Sequence, residues 1–165
     1  MSTPNPPAPA RAPTPRQQGL LNAKRLMLSG LGRSAAIAQW EHAIRHLRAA
    51  GLAGMEPSIG VKLAYDGALA GCLAVLATYD LKAAGSQGHH EAVFAGVEYT
   101  EDPAFANLII DSSAIRSGRT KTLYDADVAT EDQHAKSLQF TRSLLTGVRA
   151  NLLAWDPSLA GLTTV

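Results

Sequence analysis

The most apolar part of the chain runs from Ser58 to Gly85, and it constrains the fold more than any other feature. Beyond Gly67 the segment SIGVKLAYDGALAGCLAVLATYDLKAAG is apolar almost all round, which is typical of a helix buried in the middle of a bundle. Three of its glycines, Gly60, Gly67 and Gly71, each lower helix propensity by about 1 kcal/mol relative to alanine. We therefore predict that neighbouring helices approach its backbone closely at Gly60, Gly67 and Gly71.

Amphipathic helices are predicted on both sides of this segment. RQQGLLNAKRLMLSG gives a first helix, and the 3, 4, 3 spacing of Ile37, Trp40, Ile44 and Leu47 gives a second from Ser34 to Ala50. A short helix begins near His89, and DPAFANLIIDSSAIRSG gives a fifth. The last helix opens with a capping box from Thr130 to Gln133.

No segment shows convincing alternation with period two, so the predicted fold class is all-α. Long helices joined by short loops favour an up-and-down bundle, here with four to five core helices and an extra N-terminal helix. A length of 165 residues suits one domain. We predict a disordered proline-rich tail over 1–16, a helical domain over 17–155 and a C-terminal tail over 156–165.

Composition limits the function classes. The net charge is +1, so any contact with nucleic acid must come from a local patch rather than from the whole chain. The single cysteine, Cys72, lies in an apolar run, which indicates a core residue and a reducing compartment. No uninterrupted apolar run reaches the roughly 18 to 20 residues of a membrane span. We expect a cytoplasmic protein with no membrane partner.

The histidines do not form a recognisable metal motif. His42 and His46 are spaced i, i+4, but HAIRH lacks the glutamate of HExxH and has no third ligand at a suitable spacing. His89 and His90 are neighbours, so in a helix their side chains point to different sides. We predict no metal and no cofactor.

The stretch IRSGRTKTLYD concentrates charge in a chain that is only 18% charged. It contains Arg116, Arg119, Lys121, Tyr124 and Asp125. One interpretation is a cationic helix end that complements the helix dipole. The other is a binding site, because arginine and lysine bind phosphate and tyrosine stacks on a base or donates its hydroxyl.

The order of features along the chain resembles that of proteins in the HEPN superfamily. Within the superfamily, it is most similar to the small proteins that have an RNxxxYD-like motif. The features are a small-residue-rich helix, the loop GSQGHH, a short helix, an apolar helix, RTKTLYD and an acid-capped last helix, together spanning about Pro57 to Leu153. The resemblance implies a homodimer whose two motifs face a shared cleft. It also implies metal-independent ribonuclease activity in members with an arginine and a histidine.

In this resemblance Arg119 matches the arginine that stabilises the phosphate, and Thr120 stands where asparagine, aspartate or histidine is common. Tyr124 occupies the place of the histidine. A tyrosine whose pKa is near 10 is a poor general base at neutral pH. From the resemblance, the predicted catalytic residues are Arg119, Thr120 and Tyr124. The predicted substrate-binding residues are Arg116, Lys121, Asp125, His89 and His90.

Three hypotheses remain open from the sequence. The first is a dimeric helical protein that binds RNA or a nucleotide, in stress response or phage defence and with a protein partner such as a cognate antitoxin. The second is a toxin-like, metal-independent endoribonuclease, in which His89 or His90 replaces the missing histidine. The third is a non-catalytic structural or protein-interaction bundle.

Overall fold

A computed structural model of the chain describes residues 8–85, 88–98 and 128–165. The helices in these ranges are α1 (Pro15–Asn22), α2 (Gly32–Ala50), α3 (Pro57–Ala77), α4 (His89–Glu98), α5 (Glu131–Trp155) and a short 3-10 helix (Pro157–Gly161). Two three-residue strands, β1 (Leu26–Leu28) and β2 (Leu81–Ala83), complete the elements. The predicted all-α bundle is confirmed. The fifth predicted helix, 102–118, lies outside the described residues.

Helix α3 is the centre of the bundle and packs against α2, α4 and α5. Most of its side chains are buried, and Cys72 is among them, as predicted for a core residue. By length and composition alone α3 would suffice to cross a membrane, but 67% of its most apolar stretch is buried inside the protein. A core helix of a soluble bundle has the same properties.

The glycines of α3 mark close approaches, as predicted. A β-carbon on Gly67 would lie 3.2 Å from the carbonyl oxygen of Ala43 in α2. On the side of α5, Gly60 faces the ring of His134 and Gly71 faces the side chain of Leu145. Because contacts with α5 advance along both helices in the same direction, α3 and α5 run parallel. The bare glycine backbone thus lets two neighbours pack against the central helix.

Helix α5 follows its predicted pattern. Thr130 and Gln133 form the reciprocal capping box, with the Gln133 amide donating to Thr130 Oγ1 at 3.2 Å and the Thr130 amide donating to Gln133 Oε1 at 2.8 Å. The inward positions include Thr141, Val148 and Leu152, which are fully buried. Thr141 Oγ1 donates to the carbonyl oxygen of Ala64 at 3.1 Å. The buried hydroxyl on this face of α5 therefore has a hydrogen-bond acceptor in α3.

The first and third helices are shorter than predicted. Helix α1 ends at Asn22, and Lys24 then adopts a positive φ of 56°. Helix α3 ends at Ala77, and Asp80 adopts a φ of 57°. The residues that follow these turns pair as antiparallel strands, with Met27 opposite Lys82. Three-residue strands are too short to display the alternation by which a strand is recognised in sequence.

Both predicted tails contact the bundle where the structure describes them. Residues 8–16 are not a disordered tail, because Arg11 and Pro9 make hydrogen bonds to α5, Arg11 also bonds Thr78 just after α3, and Pro15 begins α1. At the other end, Leu159 is buried and Trp40 Nε1 donates to the carbonyl oxygen of Thr163 at 3.1 Å. Proline content and chain position suggested disorder, but hydrogen bonds between distant segments cannot be inferred from either.

Candidate functional site

Most of the predicted site lies outside the described residues. These residues are Arg116, Arg119, Thr120, Lys121, Tyr124 and Asp125. The cationic cleft, the catalytic assignment and the shared dimer interface therefore remain predictions. Of the predicted substrate-binding residues, His89 and His90 are described.

His89 and His90 lie in the first turn of α4, and His90 contacts the central helix. Nδ1 of His90 lies 3.1 Å from the hydroxyl oxygen of Tyr65, which is buried in α3. The two imidazoles meet edge to face, with ring centroids 4.2 Å apart and planes at 82°. His89 is exposed and His90 is half-buried. Adjacent residues were expected to diverge, yet at this helix start their rings touch.

Tyr65 is itself held by aromatic packing. Its ring lies 5.9 Å from that of Phe94, one turn further along α4, with the planes tilted by 55°. Phe94 is 1% exposed, so it anchors α4 to the core beside the tyrosine. Aromatic pairs in such tilted arrangements add about 0.5–1.5 kcal/mol beyond the area that they bury. The hydroxyl of Tyr65 is therefore a fixed partner for His90 rather than a mobile one.

The start of α4 is tied to the strand pair by Arg25. Nη2 of Arg25 donates to the carbonyl oxygen of Gly88 at 3.1 Å and forms an ion pair with Glu91 at 3.4 Å. Gly88 has a φ of +78°, a conformation that favours glycine, and a β-carbon there would lie 3.3 Å from Arg25 Nη2. The GHH sequence thus has a structural reason for its glycine. That glycine directs the chain into the helix that carries both histidines.

A buried glutamine fixes the other end of α4. Nε2 of Gln17 in α1 donates to the carbonyl oxygen of Gly96 at 2.9 Å, and the glutamine side chain is fully buried. Its Oε1 accepts the Thr14 amide at 2.9 Å, which completes a capping box at the start of α1. Gln17 therefore joins the N-terminal helix to α4 through a single side chain.

This arrangement presents a defined pair of imidazoles. When the hydroxyl of Tyr65 donates to Nδ1 of His90, the proton of the neutral ring is on Nε2, which then becomes a donor. When Nδ1 carries the proton, it donates to the tyrosine oxygen instead. Imidazole nitrogens of this kind bind anionic oxygens or transfer protons at neutral pH.

The other histidines have different surroundings. The rings of His42 and His46 stack with centroids 5.2 Å apart and planes at 9°. Burial lowers the pKa of His46 below its ordinary value of 6.5, and the nearby carboxylate of Asp66 opposes this effect. Within residues 8–85, 88–98 and 128–165, no three metal-ligating side chains come together.

His134 is a buried histidine that sequence reasoning did not single out. It is 8% exposed, and its Nε2 donates to the carbonyl oxygen of Ala50 at the end of α2, at 2.8 Å. It joins α2, α3 and α5 at one end of the bundle. This role is structural, because the ring packs on Gly60.

Sequence reasoning also missed Tyr65, Arg25 and Gln17 as positioning residues for α4. Two of them left a recognisable signal. The TPRQ sequence is a capping box that places Gln17 at the third helical position. Tyr65 is a hydroxyl-bearing side chain in an apolar helix, which requires a buried hydrogen-bond partner. Arg25 left none, because its contact to Gly88 depends on the strand pairing.

Comparison of the chain with protein families, with curated proteins and with solved structures finds no match. The class defined here is therefore that of the fold, an all-α helical bundle.

Proposed function

We propose that the protein is a HEPN-like helical module that binds RNA, with the cations of IRSGRTKTLYD contacting phosphates and the His89–His90 pair contacting the same strand. The observation that carries this proposal is the fixed imidazole pair. His90 is held by Tyr65 at 3.1 Å, and His89 is exposed beside it. A protein that presents ordered histidines at a helix start has donors suited to phosphate and ribose oxygens.

The sequence supplies the second part of the support. Arg116, Arg119 and Lys121 give three cations within six residues, together with a tyrosine suited to base stacking. Because the net charge is only +1, nucleic acid must bind at a local positively charged patch, and this segment concentrates positive charge. The resemblance to HEPN proteins favours RNA and a homodimer, and it favours a role in defence or stress with a protein partner such as an antitoxin.

Binding is tested with a fluorescein-labelled single-stranded RNA and fluorescence anisotropy on the full chain. Arg119→Ala is expected to weaken binding about tenfold and to reduce the slope of log K against log salt by about 0.7, the contribution of one phosphate contact to a single strand. Arg45→Ala is the matched control, because Arg45 is an exposed arginine on α2. Equal effects of the two substitutions, or no binding by the unmodified chain, would refute the proposal.

The histidines are tested in the same assay. His89→Ala is expected to weaken RNA binding. His42→Ala removes an exposed histidine of a different helix, α2, and is expected to leave RNA binding unchanged. Tyr65→Phe removes the hydroxyl that fixes His90 but keeps the ring. It is expected to weaken binding less than His90→Ala does. Binding that is insensitive to both histidines of α4 would restrict the site to the cationic segment.

RNA cleavage is a second candidate function, favoured by the contact between His90 and Tyr65. An oriented imidazole can remove the proton of a ribose 2′-hydroxyl, so that the 2′-oxygen attacks phosphorus. The bond from phosphorus to the 5′-oxygen then breaks, and that oxygen takes a proton. Cleavage in the presence of EDTA that is lost in Tyr124→Phe while RNA binding is retained would establish the enzyme, as would its loss in His90→Ala at RNA concentrations that saturate the variant. Binding without cleavage by the unmodified chain would establish a non-catalytic module.

A further inference from the structure

Residues 8–14, which we call the N-terminal strap, cross the ends of two helices without forming a helix or a strand. The strap is held chiefly by Arg11. The amide of Arg11 donates to the carbonyl oxygen of Thr78 at 2.8 Å, just after the end of α3. Nη1 donates to Oδ1 of Asn151 at 2.6 Å and to Oγ1 of Thr78 at 3.2 Å, and Nη2 donates to the Asn151 carbonyl at 3.1 Å.

Among the described residues, no carboxylate forms an ion pair with the guanidinium of Arg11. Its central carbon lies 5.6 Å from the centroid of the Tyr79 ring, within the range of a cation–π interaction. Helix α3 ends at Ala77 and α5 ends at Trp155, so the C-terminal ends of two helices converge on this side chain. These ends carry partial negative charge, which favours a cation.

A second residue of the strap is recognised through its backbone. Nε1 of Trp155 donates to the carbonyl oxygen of Pro9 at 2.8 Å. Pro9 and Arg11 are therefore the two contacted positions, separated by Ala10, which is exposed. Aromatic-lined grooves bind proline-rich peptides, and here a tryptophan donates to the strap while a tyrosine ring faces its guanidinium. We call the surface formed by Thr78, Tyr79, Asn151 and Trp155 the Pro-x-Arg groove.

The strap contributes little to the hydrophobic core. Pro9, Ala10, Ala12 and Pro13 are exposed. The groove residues instead belong to the last part of α5 and to the two residues that follow α3. Release of the strap would therefore cost a few hydrogen bonds and one cation–π contact, and it would leave a preformed groove.

From this we propose that the Pro-x-Arg groove is a docking site for an extended Pro-x-Arg segment of a partner protein, and that the strap is its intramolecular competitor. The occupant is identified by the contacts: a backbone carbonyl at proline and a guanidinium two residues later. Lysine does not fit equally well, because its single ammonium cannot donate in parallel to Oδ1 and the carbonyl of Asn151 while lying over Tyr79. The docking site is independent of RNA binding.

The competition is measurable because a short tether gives the strap a millimolar effective concentration. The probe is the labelled peptide Ala-Pro-Ala-Arg-Ala-Pro-Thr, the sequence of residues 8–14. It is titrated into the full chain and into the Arg11→Lys variant, which keeps the charge of the strap but loses the paired hydrogen bonds. The peptide is expected to bind the variant about tenfold more tightly than the unmodified chain, because the tethered competitor is weakened. A peptide with lysine at its fourth position is expected to bind the variant about tenfold more weakly than the arginine peptide.

The two tryptophans give a site-resolved readout by NMR. The indole N–H resonance of Trp155 is expected to shift on peptide addition, whereas that of Trp40, which donates to the carbonyl of Thr163 on another face, is expected to stay in place. The same titration of Arg11→Lys combined with Asn151→Ala should abolish the shift. Both resonances also report whether each variant is folded.

Absence of peptide binding to a folded Arg11→Lys variant at millimolar peptide would overturn the proposal, as would equal affinity for the arginine and lysine peptides. A second copy of the chain is the alternative occupant. If Arg11→Lys converts a dimer to a monomer in sedimentation velocity, the strap is exchanged between copies, and the groove is not a site for another protein.

Discussion

The imidazole ring of His134 occupies the place that a β-carbon on Gly60 would take. The ring is held there by its hydrogen bond from Nε2 to the carbonyl oxygen of Ala50, 2.8 Å long, so it cannot withdraw without breaking a buried contact. Gly60 therefore allows α3, the end of α2 and the first turn of α5 to meet at one point.

Gly60→Ala is expected to lower the free energy of unfolding. Overpacking of a tight core site costs about 1–3 kcal/mol, which the gain in helix propensity of about 1 kcal/mol offsets in part. Urea denaturation followed by circular dichroism measures the change. Gly19→Ala is the matched control, because Gly19 lies in α1 and no atom of the described residues comes within 4 Å of its missing β-carbon. That substitution is expected to stabilise by about 0.4–1 kcal/mol. The same sign for both would contradict the close packing at Gly60.

The fold was predictable where the sequence pattern is strong. The apolar character of α3 and its glycines indicated a central helix with close neighbours, and the capping box at Thr130 placed the start of α5. The partner that fills each glycine site was not predictable, because it depends on how separate helices align. Nothing in the sequence near His134 shows that its ring faces Gly60, which is 74 positions away (134 − 60).

Gln17→Met is expected to destabilise the chain by about 1–3 kcal/mol, the cost of leaving a buried acceptor unsatisfied. Methionine keeps the approximate volume but removes the amide that donates to the Gly96 carbonyl at 2.9 Å. Gln18→Met is the control, because the Gln18 amide bonds to Asn22 on the exposed side of α1. We expect the control to change stability by less than about 0.5 kcal/mol. Thermal unfolding of both variants measures the difference, and equal melting temperatures would disprove the bridging role of Gln17.

The candidate site was predictable only in part. The GHH sequence indicated a loop entering a helix, and α4 does begin at His89. The contact between His90 and Tyr65 joins residues 25 positions apart on different helices, so no local pattern reveals it. The cationic segment was recognised from its composition and from a family resemblance, and its arrangement remains a prediction.

A homodimer remains an expectation of the resemblance, in which the motifs of two subunits face one cleft. Light scattering at micromolar concentration is expected to give twice the 17.3 kDa mass of one chain. Symmetric association of this kind is the commonest form of oligomer. A monomer mass throughout the concentration series would count against a shared cleft, although RNA binding by a single chain would still be measurable in the anisotropy assay.

Asp156 connects the end of α5 to the start of α2. Its Oδ1 accepts the amide and hydroxyl of Ser158 at 3.0 and 2.6 Å, and Oδ2 accepts Nε of Arg33 at 2.8 Å. The hydrogen bond from the Ser158 hydroxyl is the largest cause that lowers the pKa of this carboxyl below its ordinary value of 3.8, and Arg33 adds to it.

A carboxyl whose pKa is lower in the folded state contributes stability above its unfolded pKa, and that stability is lost as the pH falls through the folded value. Asp156→Asn is therefore expected to reduce the free energy of unfolding at pH 7 by about 1–2 kcal/mol. The gap should begin to narrow as the pH falls below the ordinary value of 3.8, and it should close as the pH passes the lower pKa of the folded protein. Asp132→Asn, which affects an exposed pair with Lys136, is expected to cost less than about 1 kcal/mol. Urea titrations at pH 7 and pH 3 distinguish the two, and a gap for Asp156→Asn that is constant with pH would show that its charge does not stabilise the fold.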